Sequence, residues 1–228
     1  MKTLIVIPAR NGSKGLPNKN KKKLLGKSLI EYSIEFALKI VNTNDVICVT
    51  TNDNEIINLS KTYKSIIFLR RSQLLSDDKA SMEDVLIDVI NRINKNFDFI
   101  TLLQPTSPIR DINDYYKMTN LFSNEIDLVV SVKESKANPY FTLFEENDDG
   151  FLIKSKEGNY TRRQDCPKTF CYNGSIYLIK IESLVKYGLH GIKKIKKFLM
   201  PLERSIDIDS IYDWKMAELI INNSFENS

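Results

Sequence analysis

Between residues 3 and 9 the chain is apolar almost without interruption, as expected of a short central strand buried on both faces. The period then changes. Leu29, Ile30, Ser33, Ile34, Ala37, Leu38 and Val41 fall on one stripe at helical spacing, which predicts an amphipathic helix over 29–41 ahead of a strand over 45–51. The same alternation predicts a helix over 54–63, a strand over 66–70, a helix over 81–93, a strand over 97–103, a helix over 112–123 and a strand over 128–133. Strand and helix alternating in this way specify an α/β chain, with a single doubly wound, mostly parallel sheet and helices on both faces.

After Val132 the pattern loosens. Residues 134–172 mix polar positions, Pro139, Gly150, Gly158 and Pro167 with short alternating pieces at 140–144 and 151–153. This is an excursion of hairpins or loops, expected either to pack on a partner subunit and close over a ligand or to be a plain surface insertion. The chain returns with a strand over 175–179, a short strand near 198–200, an extended segment over 205–209 and a helix from 211 to about 223. No internal repeat is present, so residues 1–228 are expected to form one domain that includes the excursion. In doubly wound sheets ligands bind beyond the carboxyl ends of the strands. The loops after the first and fourth strands and the segment 205–209 should therefore converge.

Composition narrows the chemistry. With 228 residues, 42% of them apolar, disorder is excluded, and no apolar run reaches the length of a bilayer span. The apolar start ends at Arg10, too early for a signal peptide, and a cytoplasmic protein is expected. Cys48, Cys166 and Cys171 cannot all pair and have no zinc spacing, which suits a reducing compartment. A lone His190 disfavours histidine-based metal chemistry or a Ser-His-Asp triad. The work must fall to Asp, Glu, Lys and Arg.

The charge of +4 is local. Arg10, Lys14, Lys19, Lys21, Lys22, Lys23 and Lys27 occur within 10–27 with no acid among them, leaving 26 basic against 29 acidic residues elsewhere. One short basic loop after a strand suits a compact polyanion better than a nucleic acid. Lys21 to Lys23 alone read as a solvated run. Gly12 and Gly15 can let backbone N–H groups face phosphate oxygens, while Arg10, Lys14 and Lys19 offset the charge of a triphosphate. The loop is neither a Walker A loop, which would need glycine at Lys21, nor a dinucleotide fingerprint. Late in the chain Asp207 and Asp209, two apart on an extended segment, should project to one side as hard oxygen ligands for Mg²⁺. Ser210 and Asp213 have capping-box spacing for the last helix, which frees that pair for metal; Ser81 and Asp84 have it too, so Ser81 has a structural role available.

The order of these residues carries a resemblance. The stretch Ile7-Pro8-Ala9-Arg10-Asn11-Gly12-Ser13-Lys14-Gly15-Leu16-Pro17-Asn18-Lys19-Asn20 resembles the opening loop of the acylneuraminate cytidylyltransferases, which make CMP-sialic acids from CTP and a free nine-carbon keto-sugar acid. The blocks from Leu102 to Arg110, Arg163-Gln164-Asp165, Asn173-Gly174-Ser175-Ile176-Tyr177 and Ser205 to Asp209 resemble that family's in the same order. The resemblance implies a cytoplasmic homodimer with Mg²⁺ on Asp207 and Asp209, and catalysis by Arg10, Lys14, Lys19, Asp207 and Asp209. It implies nucleotide contacts from Arg10, Asn11, Gly12, Ser13, Lys14, Lys19, Asn20, Arg70 and Ser81, with Arg70 on the nucleobase side. It also implies sugar contacts from Gln104, Arg163, Asn173 and Tyr177, with Arg163 supplied across a dimer contact. It names no general base.

Two departures bear on the sugar. Sialate-using relatives commonly have Arg-Pro-Asn-Gly where this chain has Cys171-Tyr172-Asn173-Gly174, and an aromatic pair near His190-Gly191. Both alter groups expected at the acyl or glycerol-like ends of the sugar, so a legionaminic-type acid stands beside N-acetylneuraminic acid as the expected substrate. Two other classes fit parts of the pattern. Another sugar nucleotidyltransferase, acting on a sugar phosphate, would share the loop and the acids. A non-enzymatic nucleotide or nucleic-acid binding module would need the loop alone and would be hindered by two acids beside it.

Overall fold

In the computed structural model, which describes residues 2–12 and 15–226, the opening apolar run is a strand, β1 (Thr3–Pro8), buried along its whole length. Its side chains alternate between two cores. Ile5 and Ile7 face one layer, Leu4 and Val6 the other, as a strand covered on both faces requires. A small hairpin, β2 (Lys23–Leu24) and β3 (Lys27–Ser28), leads into α1 (Leu29–Ile40). That helix starts on a capping box, Ser28 with Glu31, which satisfies amide groups the first turn leaves open.

The alternation continues through β4 (Val46–Thr51), α2 (Asn54–Asn58) with a 3₁₀ turn at Leu59–Lys61, β5 (Ile67–Arg70), α3 (Met82–Ile93), β6 (Phe99–Leu103), α4 (Ile112–Thr119) and β7 (Leu128–Glu134). The excursion carries a hairpin, β8 (Phe144–Glu146) and β9 (Leu152–Lys154). It runs into β10 (Phe170–Lys180), followed by α5 (Ile181–Gly191), β11 (Ile195–Leu199) and α6 (Ile211–Glu226). The main sheet has the order β11-β7-β10-β6-β1-β4-β5. Only β10 runs against the others, antiparallel to both β6 and β7.

The sheet is therefore mostly parallel with helices on both faces, as the periodicity predicts. Ile30, Ile34 and Ala37 of α1, Ile56 of α2 and Tyr115 and Met118 of α4 pack on one face. Leu86 and Val89 of α3 and Leu184 of α5 pack on the other. No helix among the described residues is long and apolar enough to cross a membrane. The chain steps outward from β1 to β4 and β5, then returns to lay β6 on the other side of β1. That reversal opens a crevice beyond the carboxyl ends of β1 and β6.

Several elements differ from the expected ones. The helix α5 has no counterpart in the sequence reading, because Lys180 gives it no side-chain cap and Gly188 interrupts it at φ +67°. The strand expected over 175–179 starts instead at Phe170, inside the excursion. It pairs Tyr172 with Val132, breaks register, and resumes with Tyr177 opposite Val130. The hydroxyl of Ser131 fills the break, within hydrogen-bonding distance of both Asn173 Oδ1 and Ile176 O as acceptors for its one proton, and accepting from Ile176 N. Residues 205–209 join no sheet; Ile208 N donates to Thr106 O at 2.8 Å and the Ile208 side chain is buried with Leu24, Leu29, Trp214 and Ala217.

Candidate active site

The crevice is a cleft of about 400 Å³ bounded by Pro8, Arg10, Gly15, Lys19, Asn20, Arg71, Met82, Gln104, Pro105, Thr106, Asp207 and Asp209. It brings together the loop after β1, the ends of β5 and β6, the start of α3 and the late acidic segment. The loop and the acids are in direct contact. Lys19 Nζ donates to Asp209 Oδ1 at 2.6 Å and to the Ile208 carbonyl oxygen at 2.9 Å, across 190 and 189 residues of chain. At Gly15 a side chain is impossible without movement, since a Cβ there would overlap the carbonyl oxygen of Asp209. Glycine at this position lets the two backbones touch.

The rest of the loop is braced from the sheet side. Asn20 is buried and donates through Nδ2 to the Arg10 carbonyl oxygen at 3.0 Å. Asn11 N–H donates to Asn52 Oδ1 at 2.7 Å, and Gly12 N–H to Asn11 Oδ1, so both stand in the loop at the rim of β4. Arg10 pairs with Asp78 at 2.6 Å while remaining partly exposed at the cleft. Two of the three lysines read as a solvated run have partners: Lys21 bridges Asp53 and Glu55, and Lys22 lies over the Trp214 ring, while Lys23 is exposed. Ser13 and Lys14, both expected at the phosphates, lie outside the described residues.

Asp207 and Asp209 flank the buried Ile208 and both face the cleft. The capping box of α6 is made by Ser210 and Asp213, which leaves the pair free of that duty. Burial raises the Asp207 carboxyl above its ordinary range; the Thr106 hydroxyl, Lys19 and Lys133 oppose this, while the charge of Asp209 adds to it. Asp207 Oδ1 and Asn20 Oδ1 are buried with no hydrogen-bond partner. Among the described residues no group of three or more His, Cys, Asp or Glu side chains could hold a metal alone. Two carboxylates with an unpartnered oxygen nonetheless fit Mg²⁺, which takes one or two protein carboxylates and completes its shell with phosphate and water.

The wall opposite the loop is built by the irregularity in β10. Gly174, at φ +72°, puts its Cα where a Cβ would come within 3.0–3.1 Å of Gln104 Oε1, Ser107 Oγ and Asp207 Oδ2. Gln104 lines the cleft, and its carbonyl oxygen accepts from Arg110 Nη2 at 2.6 Å. Arg110 also reaches Ser175 O and Ser33 Oγ, and so ties β6, β10 and α1 together behind the site. Tyr177 sits beside Asp207; burial, and then that carboxylate, push its phenol up to about 12, keeping it a neutral hydrogen-bonding group at physiological pH.

Asn11, Gly12 and Tyr177 adjoin the cleft without being among its lining residues, and four other expected residues stand elsewhere. Arg70 turns outward to Asn54 Oδ1 at 2.7 Å, and Arg71, which the sequence pattern does not single out, lines the cleft together with Arg10. Arg71 is buried, donates to the Thr50 carbonyl oxygen at 2.9 Å, and is pushed down to about 10 by burial and by Arg10, still protonated at neutral pH. The signal was two adjacent arginines at a strand end: successive side chains point to opposite faces, and pattern alone does not say which faces a ligand. Ser81 is the N-cap of α3 through Asp84 N, and its neighbour Met82 reaches the cleft. Asn173 is buried, and its amide bridges Ser131 and Ser205, a structural place behind the wall. Arg163 is exposed on the excursion, outside this cleft, lining two surface depressions with Glu134 and Ser135.

A doubly wound sheet with a cationic loop and a carboxylate pair on one crevice is the frame of a nucleotidyltransferase. The profile of the Cytidylyltransferase family matches residues 4–204, and the chain belongs to that family. It is 34% identical to the post-translational flagellin modification protein B of Campylobacter coli, covering 96% of this chain and 94% of the relative. It is 33% identical to the CMP-N,N'-diacetyllegionaminic acid synthase of Campylobacter jejuni, with the same coverage. It is also 32% identical to an N-acylneuraminate cytidylyltransferase of Streptococcus agalactiae, covering 94% of this chain but 52% of that protein. Among solved structures, a CMP:2-keto-3-deoxy-manno-octonic acid synthetase complexed with CTP superposes with a TM-score of 0.70 at 18% identity, covering 98% of this chain and all of that one; this likeness speaks to the fold.

Proposed function

We propose that the protein joins CTP to a free nonulosonic acid, N-acetylneuraminic or legionaminic-type, to give the CMP-sugar and pyrophosphate. The observation that carries this is the meeting of the Gly15–Lys19 loop with Asp207 and Asp209 across one cleft. The named activities of the relatives from Campylobacter and Streptococcus support the substrate class. In this reading the anomeric hydroxyl of the sugar acid attacks the α-phosphorus of CTP, and the bond to pyrophosphate breaks. Arg10 and Lys19 meet the phosphates beside Asn11 and Gly12, and the resemblance of the opening loop adds Ser13 and Lys14 to the nucleotide contacts; Arg71 and α3 face the nucleoside. Asp207 and Asp209 would hold Mg²⁺, which supplies charge neutralisation to the triphosphate. Gln104 and Tyr177 orient the sugar acid, placing its hydroxyl in line with the leaving group.

The excursion supplies a second part of the proposal. Phe144, Phe151, Leu152 and Ile153 are exposed on the β8–β9 hairpin, an apolar surface suited to a second copy of this chain. Such a homodimer would bring Arg163 toward the partner's sugar site, where a guanidinium can grip the substrate carboxylate bidentately. The place of action would be the cytoplasm, where CTP is made. The test is a pyrophosphate-release assay with purified protein. It should proceed with CTP and N-acetylneuraminic or N,N'-diacetyllegionaminic acid. Turnover only with UTP or GTP and a sugar 1-phosphate would overturn the reading.

A further inference from the structure

The ammonium of Lys19 occupies an unusual set of oxygens. It lies 2.6 Å from Asp209 Oδ1 and 2.9 Å from the Ile208 carbonyl oxygen, beside Asp207, whose Oδ1 has no partner. A carboxylate oxygen, a backbone carbonyl and a second carboxylate are hard donors of the kind a divalent cation takes. Asn20 adds to this: it is 7% exposed, lines the same cleft, and its Oδ1 is unpartnered. The lysine is held at this position from behind. Its side chain is 12% exposed, and the Gly15 contact with Asp209 and the Asn20 bond to Arg10 fix the loop backbone around it.

We infer, resting on the function proposed above, that Lys19 is a stand-in for the divalent cation in the ligand-free protein and changes partners when nucleotide enters. The ammonium and the cation compete for Asp209, because an ammonium already bonded to the carboxylate repels a second positive charge brought to it. The phosphates of CTP offer Lys19 alternative anionic oxygens within the same cleft. Once the ammonium turns to them, Asp209 is released to the metal. The protein then takes up the metal after the nucleotide or with it, and holds the bare metal weakly. Without Lys19 the acidic pair keeps its full negative charge and becomes a site for the bare cation.

The test uses Mn²⁺ as the probe, followed by the electron paramagnetic resonance signal of the free ion. Wild type without nucleotide should bind Mn²⁺ weakly. Lys19→Met should bind it about tenfold more tightly or better, as expected for removing a positive charge in contact with the site. Adding Asp209→Asn to Lys19→Met should abolish the gain. A Lys19→Gln variant repeats the comparison should the methionine variant melt early, and thermal melts establish that each variant is folded. Equal Mn²⁺ affinity in wild type and in the folded Lys19 variants would overturn the inference, as would a gain that survives Asp209→Asn. Failure of the functional reading has a separate signature: CTP would not tighten Mn²⁺ binding to wild type and no nonulosonic acid would release pyrophosphate. The comparison without nucleotide would still decide the role of Lys19.

Discussion

Arg70 and Arg71 show how much one position matters. Arg70 is spent on Asn54 at the rim of α2, while Arg71 is buried at the cleft and anchored on Thr50. Replacing Arg71 by Met should raise the KM for CTP about tenfold to a hundredfold, the loss expected when a hydrogen bond from a charged group is removed. The same change at Arg70 should leave KM within about twofold, as is usual for a surface side chain. Steady-state kinetics on the pair checks both, and an inverted result would restore Arg70 to the nucleobase side. Asn173 teaches the opposite lesson. Its neighbour Gly174 touches the groups of the cleft, but the Asn173 amide is consumed in bonds to Ser131 and Ser205. Its replacement by Ala would act through stability, at a cost of about 1–3 kcal/mol for the polar partners left unpaired.

At the scale of elements, legibility follows the strength of the local signal. The strand β1 is a continuous apolar run and α1 combines a stripe with a capping box, so both are readable from the chain alone. The helix α5 is not, since it lacks a capping side chain and is broken by Gly188, whose neighbour Leu189 donates its N–H to Glu83 of α3 at 2.8 Å. That bond is tertiary and leaves no local trace. The reach of β10 into the excursion is hidden for the same reason, because its first residues are extended only through pairing with β7. The loop and the acids are legible as chemistry, and their convergence follows from the rule for doubly wound sheets; the fold adds the particular contacts, Lys19 on Asp209 and Gly15 against the Asp209 carbonyl oxygen. The cap of α6 yields a pH prediction. Burial opposes ionisation of Asp213, but bonds from the Ser210 hydroxyl and from the Ser210 and Asp209 amides outweigh it and lower its pKa. A carboxyl lowered on folding stabilises the protein above the unfolded pKa of about 4, and that stability is lost as pH falls through the folded value. The melting temperature of Asp213→Ala should therefore lie below that of wild type at pH 7, and the gap should narrow below pH 4. A gap that stays constant or widens would mean that Asp213 acts other than as an ionised cap.

For the whole molecule, the exposed hairpin of the excursion is the place to test assembly. Changing Phe151 and Ile153 together to Asp should convert the proposed dimer to a monomer, read by light scattering of both proteins after size exclusion, because two charges would be buried in an apolar contact. CTP binding should persist, since no residue of the hairpin lines the cleft, while the KM for the sugar acid rises as Arg163 loses its partner. A variant that remains dimeric would move the interface elsewhere. The contact between Lys19 and Asp209 has a further consequence for how the protein comes into being. All strands of the main sheet are in place by Leu199, yet the carboxylates follow it. A nascent chain leaving the ribosome can thus lay down its whole main sheet before it owns both halves of its reaction centre, and chemistry comes later than architecture.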